Sequence, residues 1–170
     1  MLQTAVEAAR RAGQLIAERY PTQRDVSRKG YRDLVTETDL AAEEVILNLI
    51  QDRFPDHAIL SEETTGGEIG AGYTWVIDPL DGTSNYTHRV PIFSVSVALL
   101  QRGRPLIGVV YDPMRDHLFA GERGSGVTLN NQPLQVSAIP QLPEALIGFD
   151  WARDEEKRNQ VLSRLRRVAP

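Results

Sequence analysis

Residues Trp75 to His88 read W-V-I-D-P-L-D-G-T-S-N-Y-T-H, and the reading of the whole chain turns on them. The apolar approach Trp75-Val76-Ile77 runs into Asp78, and Pro79 then removes a backbone donor, so a strand is expected to end with Asp78 at its mouth. Asp81 follows, Gly82 permits a backbone conformation that is costly for residues with a Cβ, and Thr83 is placed to begin or cap a short helix. Two carboxylates, the Leu80 carbonyl and a helix start are thereby crowded between positions 78 and 83.

That crowding has an energetic consequence. Two carboxylates about 4 Å apart repel by roughly 4 kcal/mol at an effective dielectric near 20, a large part of the roughly 5 to 15 kcal/mol that holds a domain together. Protonation of one carboxylate relieves the repulsion. A hard cation such as Mg²⁺, matched to carboxylate and carbonyl oxygens, also relieves it, and the N–H groups of a helix start beside the ion would hold a phosphate. Pro, Asp and Gly are also ordinary turn formers, so D-P-L-D-G-T taken alone leaves a surface turn and a metal site both open.

Working outward, 170 residues suffice for one good core. A hydrophobic share of 41% and a charged share of 25% are ordinary for a folded chain and exclude disorder and fibrous structure. A net charge of −4 at pH 7 argues against nucleic acid as the main partner. The absence of cysteine excludes disulfides and thiolate metal sites, which fits a cytoplasmic protein. No apolar run approaches membrane-spanning length, and Glu7 and Glu18 among the N-terminal arginines argue against a signal peptide, so neither a membrane nor a leader is expected.

Upstream, Leu2, Ala5, Val6, Ala9, Ala12, Leu15, Ile16 and Tyr20 recur at helical spacing until Pro21. Asp25 to Asp39 reads as a mobile loop or short hairpin leading into a second helix, capped by Thr36 or Thr38 and burying Ala42, Val45, Ile46, Leu49 and Ile50. Asp39 falls in its first turn, where acids are usually plain partners of the helix dipole. Ala58-Ile59-Leu60-Ser61-Glu62-Glu63 suggests another strand ending at a polar mouth, although solvated surface acids look the same. Thr64 to Gly72 is a glycine-rich loop.

Downstream, Phe93, Val95, Val97 and Leu99 alternate with Ser94, Ser96 and Ala98, a strand with one bulky and one small face. Short strands over Leu106–Tyr111, His117–Gly121, Val127–Leu129 and Leu134–Ser137 follow, and Gly121 to Gly126 reads as a hairpin turn. Short connections imply antiparallel pairing, giving an α+β arrangement of an antiparallel sheet flanked by two long N-terminal helices. Pro140 and Pro143 bracket a linker, Ala145 to Phe149 suggests one more strand, and Asp154 to Val168 a helix. This divides the chain into a unit over residues 1–143 and the start of a second over 144–170. His57 is expected in a turn, His117 on the polar face of a strand, and His88 as a hydrogen-bonding post for the loop after the site.

The run W-V-I-D-P-L-D-G-T-S-N-Y-T-H-R-V-P, continuing into S-V-S-V-A-L, closely resembles the first signature of the inositol monophosphatase family of Mg²⁺-dependent, lithium-sensitive phosphatases. K-G-Y-R-D-L-V-T-E-T-D before it and I-L-S-E-E at Ile59 to Glu63 resemble two further family segments. The resemblance implies the N-terminal part of a layered αβαβα sugar-phosphatase fold. It also implies two or three Mg²⁺ ions, with Mn²⁺ as a substitute, held by Glu62, Asp78, the Leu80 carbonyl and Asp81. Catalytic roles pass to Asp39, Thr83 and Glu62, with Asp39 activating the attacking water through Thr83. Asp81, Gly82 and Thr83 would bind a small phosphorylated polyol or sugar, Glu63 would support Glu62, and Lys29 and Asp33 would match a loop that closes over the metals.

One departure is plain. The family's later W-D-x-A-x-G signature, whose Asp completes the second metal site, does not occur in these residues, so the resemblance covers only the N-terminal portion of a family member. The alternatives are a sibling phosphatase (fructose bisphosphatase, histidinol phosphatase or bisphosphate nucleotidase), an inactive metal-binding or interaction module, and a structural half that docks on a separate polypeptide. An unfinished edge after Phe149 would favour pairing with a second copy, hence a homodimer.

Overall fold

The computed structural model describes residues 1–22, 26–30, 33–63, 69–148 and 155–168, with only the backbone path for 26–30, 33–35 and 167–168. Helix α1 (Leu2–Arg19) buries Ala5, Ala8, Ala9, Ala12 and Ile16 completely. That stripe of small side chains lets it lie against helix α2 (Glu37–Arg53), and Glu7 clasps Arg53 across the pair at 2.8 Å. The segment between the helices is a hairpin, with β1 (Val26–Gly30) antiparallel to β2 (Asp33–Thr36).

The remaining strands form a seven-stranded sheet in sequence order: β3 (Ala58–Ser61), β4 (Tyr73–Asp81), β5 (Ser94–Gln101), β6 (Arg104–Asp112), β7 (His117–Glu122), β8 (Gly126–Leu129) and β9 (Gln132–Leu134). Both long helices pack on one face, over Trp75, Ile77, Val95, Val97, Leu99, Ile107 and Val109. On β5 the alternation is as expected, with Val95, Val97 and Leu99 fully buried while Ser94, Ser96 and Ala98 look the other way. The α+β architecture read from the sequence is therefore the observed one.

Four local expectations need correction. The sheet is not wholly antiparallel: β3 pairs parallel to β4, so the antiparallel pairing that short connections give the later strands does not extend to this pair. β4 does not end at Asp78 but continues to Asp81, with Pro79 accommodated where the register against β5 shifts. The strand expected over Leu134–Ser137 is instead β9, which ends at Leu134. Ala145–Phe149 forms no strand in its described part: a 3-10 turn occupies Leu142–Glu144 and Leu146 is fully exposed, so this apolar run has found no sheet edge to pair with. Phe149 and Asp154 lie outside the described residues, and helix α4 spans Glu155–Val168.

The histidines take the expected places, with one addition. His57, half-buried, stacks against Phe54 and Tyr73 with ring centroids 4.9 and 4.8 Å away, and its Nδ1 accepts a hydrogen bond from Trp75 Nε1 at 3.1 Å. Burial lowers its pKa, against the opposing charge of Asp56. No described helix is long and apolar enough to cross a membrane.

The seat of α1 on the sheet depends on a glycine. A Cβ at Gly13 would fall 2.5 Å from Cδ1 of Tyr111, whose ring is pinned by its hydroxyl's bond to Asp116 at 3.0 Å and by Arg10 stacked 5.2 Å above it. Gly13→Ala should therefore destabilise the fold by about 1–3 kcal/mol in chemical denaturation, whereas Gly72→Ala, with nothing within 4 Å of its Cβ, serves as the neutral control. Equal stability of the two variants would show that α1 is less tightly seated than these contacts require.

Candidate active site

The site is built by a single extra residue. Asp78 pairs with Ser96 and Asp81 with Ser94, so three steps along β4 match two along β5. In a regular strand, residues three apart point to opposite faces. The bulge restores the phase, so that Asp78 and Asp81 both lie on the face of Ser94 and Ser96, away from the helices. Pro79 lies inside this bulge, where no ladder hydrogen bond is asked of it.

Glu62 arrives from the neighbouring strand. Ser61 pairs with Ile77, and the Glu62 N–H donates to the Ile77 carbonyl at 3.2 Å, which puts Glu62 beside Asp78. Glu62 and Asp78 help line a 340 Å³ cavity with Leu60, Val76, Ser96 and Ala98. Glu62 and Asp81 are exposed and Asp78 is half-buried. Burial first, then the charges of Glu62 and Asp81, push the Asp78 pKa up to about 8. Burial and like charge together thus disfavour full ionisation of this carboxylate cluster.

Beyond Asp81 the chain turns sharply. Gly82 has φ +95°, and a Cβ there would meet the Ile92 carbonyl at 3.0 Å and Phe93 Cα at 3.2 Å, so both conformation and space require glycine. It caps the short helix α3 (Thr83–Thr87). Thr83 Oγ1 has two acceptors for its one proton, the Leu80 carbonyl at 3.0 Å and Asp39 Oδ1 at 3.1 Å. His88 closes α3, with Nδ1–H donating to the Ser84 carbonyl at 2.7 Å.

Asp39 reaches Thr83 from the helix side of the sheet. Thr36 caps α2: its hydroxyl oxygen accepts from the N–H groups of Thr38 and Asp39, and Asp39 Oδ2 accepts from Thr36 N–H at 2.8 Å. This reciprocal box fixes the Asp39 side chain and leaves Oδ1 aimed at Thr83. Only 1% of Asp39 is exposed; burial raises its pKa, while hydrogen bonds from Thr36 and Thr83 oppose the rise.

Asp39, Thr83, Leu80, Asp81, Gly82, Asp78 and Glu62 are thus brought to one end of the sheet. Among the described residues no three His, Asp or Glu side chains already stand in a metal-gripping arrangement. The backbone nevertheless brings hard oxygen donors together, two of them on exposed, rotatable side chains, and a cation would relieve the repulsion that raises the Asp78 pKa; this donor set fits Mg²⁺. Lys29 lies in β1 and Asp33 in β2, their side chains outside the described residues. Sequence reasoning missed Glu43, which is 1% exposed on α2 and accepts a hydrogen bond from the Ser61 hydroxyl. Its position four residues after Asp39, on the same helix face, was the available signal.

Comparison with known proteins agrees with this geometry. The profile described as "Inositol monophosphatase family" matches residues 1–168. Inositol monophosphatase 3 of Solanum lycopersicum is 42% identical over 160 residues, covering 92% of this chain and 60% of that protein. Nus factor SuhB of Escherichia coli strain K12 is 45% identical over 158 residues, covering 89% of this chain and 58% of that protein. The crystal structure of extragenic suppressor protein suhB from Bartonella henselae superimposes with a TM-score of 0.90 at 36% identity, over 98% of this chain and 65% of that one. The chain thus spans about 60% of the length of the curated relatives it matches. With profile, sequence and fold in agreement along almost its entire length, this chain belongs to the inositol monophosphatase family.

Proposed function

We propose that the chain carries the metal-binding and water-activating part of a Mg²⁺-dependent phosphomonoesterase acting on a small phosphorylated polyol or sugar. The observation that carries this reading is the β4 bulge, which sets Asp78 and Asp81 on one face beside Glu62 while Thr83 links that edge to Asp39. Glu62, Asp78, the Leu80 carbonyl and Asp81 would hold the ions, two or three Mg²⁺ with Mn²⁺ as a substitute. When bound, such ions neutralise phosphate charge and lower the pKa of coordinated water.

The chain's own residues account for the rest. Asp39, fixed by the capping box, accepts the Thr83 hydroxyl proton, which leaves the Thr83 oxygen lone pairs to take a hydrogen bond from the attacking water and hold it in line. Burial raises the pKa of Asp39 and so increases its basicity toward a proton relayed through Thr83. The N–H groups of Gly82 and Thr83, beside Asp81, would receive the phosphate. Little covalent chemistry is asked of the protein in phosphoryl transfer, where positioning and charge neutralisation dominate. Lithium sensitivity, homodimer formation and a cytoplasmic setting complete the reading, supported by family membership and the absence of cysteine. A second reading rests on the 45% identity to a Nus factor: an assembly role independent of turnover.

Two substitutions test the proposal. Asp78→Asn should weaken Mg²⁺ or Mn²⁺ binding by more than about a hundredfold in calorimetric titration, since losing even an outer-shell partner of a ligand costs about 10–100-fold; unchanged affinity would remove Asp78 from the ligand set. Asp39→Asn, in a full-length or reconstituted enzyme that contains this sequence, should lower kcat for inositol phosphate hydrolysis by roughly 10²–10⁴ and leave metal affinity nearly unchanged. Equal turnover would take Asp39 out of the mechanism, and an assembly role would survive the substitution intact.

A further inference from the structure

We propose that Glu43 and Ser61 form a buried positioning couple that holds Glu62 and Asp78 in register with Asp39; the proposal rests on the metal-site reading above. Among the described residues, strand β3 is the sheet's edge, paired with β4 through the four pairs from Ala58–Thr74 to Ser61–Ile77. Its last residue, Ser61, turns to the helix face and is 6% exposed, while Glu62 emerges on the opposite face. Without a second anchor, the end of an edge strand is where a sheet frays first.

Glu43 supplies that anchor. Its Oε1 accepts the Ser61 hydroxyl proton inside the core, where a hydrogen bond is electrostatically stronger than in water. Glu43 stands one helical turn beyond Asp39 on α2, both 1% exposed. Ser61 stands one residue before Glu62 and opposite Ile77, the residue before Asp78. One side-chain contact therefore joins the helix that carries Asp39 to the two strands that carry Glu62 and Asp78. A carboxylic side chain buried there is costly unless its polar atoms are engaged, which is why the couple is a specific device rather than filler. Glu43 touches neither substrate nor water in this scheme and acts through Ser61.

The test uses Ser61→Ala, which deletes the donor, and Glu43→Gln, whose amide oxygen still accepts from Ser61. Hydrogen exchange of the metal-free chain reads the Glu62 amide, which donates to Ile77. Ser61→Ala should speed that exchange about fivefold, the worth of one net hydrogen bond, with the Val97 and Val109 amides unchanged; Mg²⁺ affinity by calorimetry should fall by a similar factor. Glu43→Gln should keep both readouts close to the parent. If Ser61→Ala does not fold, Glu43→Met, which replaces the acceptor with an apolar chain of similar length, carries the same two expectations as Ser61→Ala. A folded donor- or acceptor-deleted variant with parental Glu62 exchange overturns the couple. A parent that takes up no Mg²⁺ overturns the metal reading instead, and the exchange measurement then decides the couple by itself.

Discussion

Glu62, Asp78 and Asp81 converge at one end of the sheet, where burial and mutual repulsion both oppose their ionisation. Alternation along a regular β4 would have separated Asp78 from Asp81 by sending them to opposite faces; the bulge through Pro79 and Leu80 undoes that separation. Parallel pairing of β3 then delivers Glu62 to the same edge. The fold thus concentrates acidic groups, and burial together with the charges of Glu62 and Asp81 raises the Asp78 pKa to about 8. Such an arrangement lowers stability unless a cation joins it, and strain of this kind is commonly kept at functional sites.

The surrounding structure holds that edge still. Two long helices seal one face of the sheet, and the alanine stripe of α1 lets α2 sit where its capped N-terminus points Asp39 at Thr83. Gly82 permits the turn that brings Thr83 back over the Leu80 carbonyl, and any side chain there would be strained by the positive φ and crowded against Ile92 and Phe93. In the proposed scheme regular elements converge at one end of the sheet, with Asp39 fixed by its capping box and the backbone setting where Glu62, Asp78 and Asp81 begin.

Much of this was legible in the sequence, for identifiable reasons. The helical spacing of Leu2 to Tyr20 and the alternation of Phe93 to Leu99 are strong periodic signals, and both elements formed. The residues of D-P-L-D-G-T do converge at one end of the sheet, but by a different geometry: Pro79 suggests a strand end, whereas the proline is tolerated because the bulge asks no hydrogen bond of it. The parallel β3–β4 pair was hidden because pairing direction depends on where the long 62–72 connection travels. Ala145 to Gly148 looked like a strand by composition, but pairing needs a neighbouring edge, which composition does not report. Glu43 is not marked by the sequence because a glutamate in an amphipathic helix normally faces solvent; in the fold the Ser61 hydroxyl gives the buried side chain a partner.

If the bulged end of β4 is a divalent-cation site, as proposed, titration of the isotopically labelled chain with Mn²⁺ should broaden its amide resonances paramagnetically. Broadening should begin at Glu62, Asp78, Leu80, Asp81 and Gly82, extend next to Asp39 and Thr83, and be reversed by excess Mg²⁺. Broadening centred elsewhere, or resonances at the β4 bulge that stay sharp while Mn²⁺ is bound, would contradict that proposal.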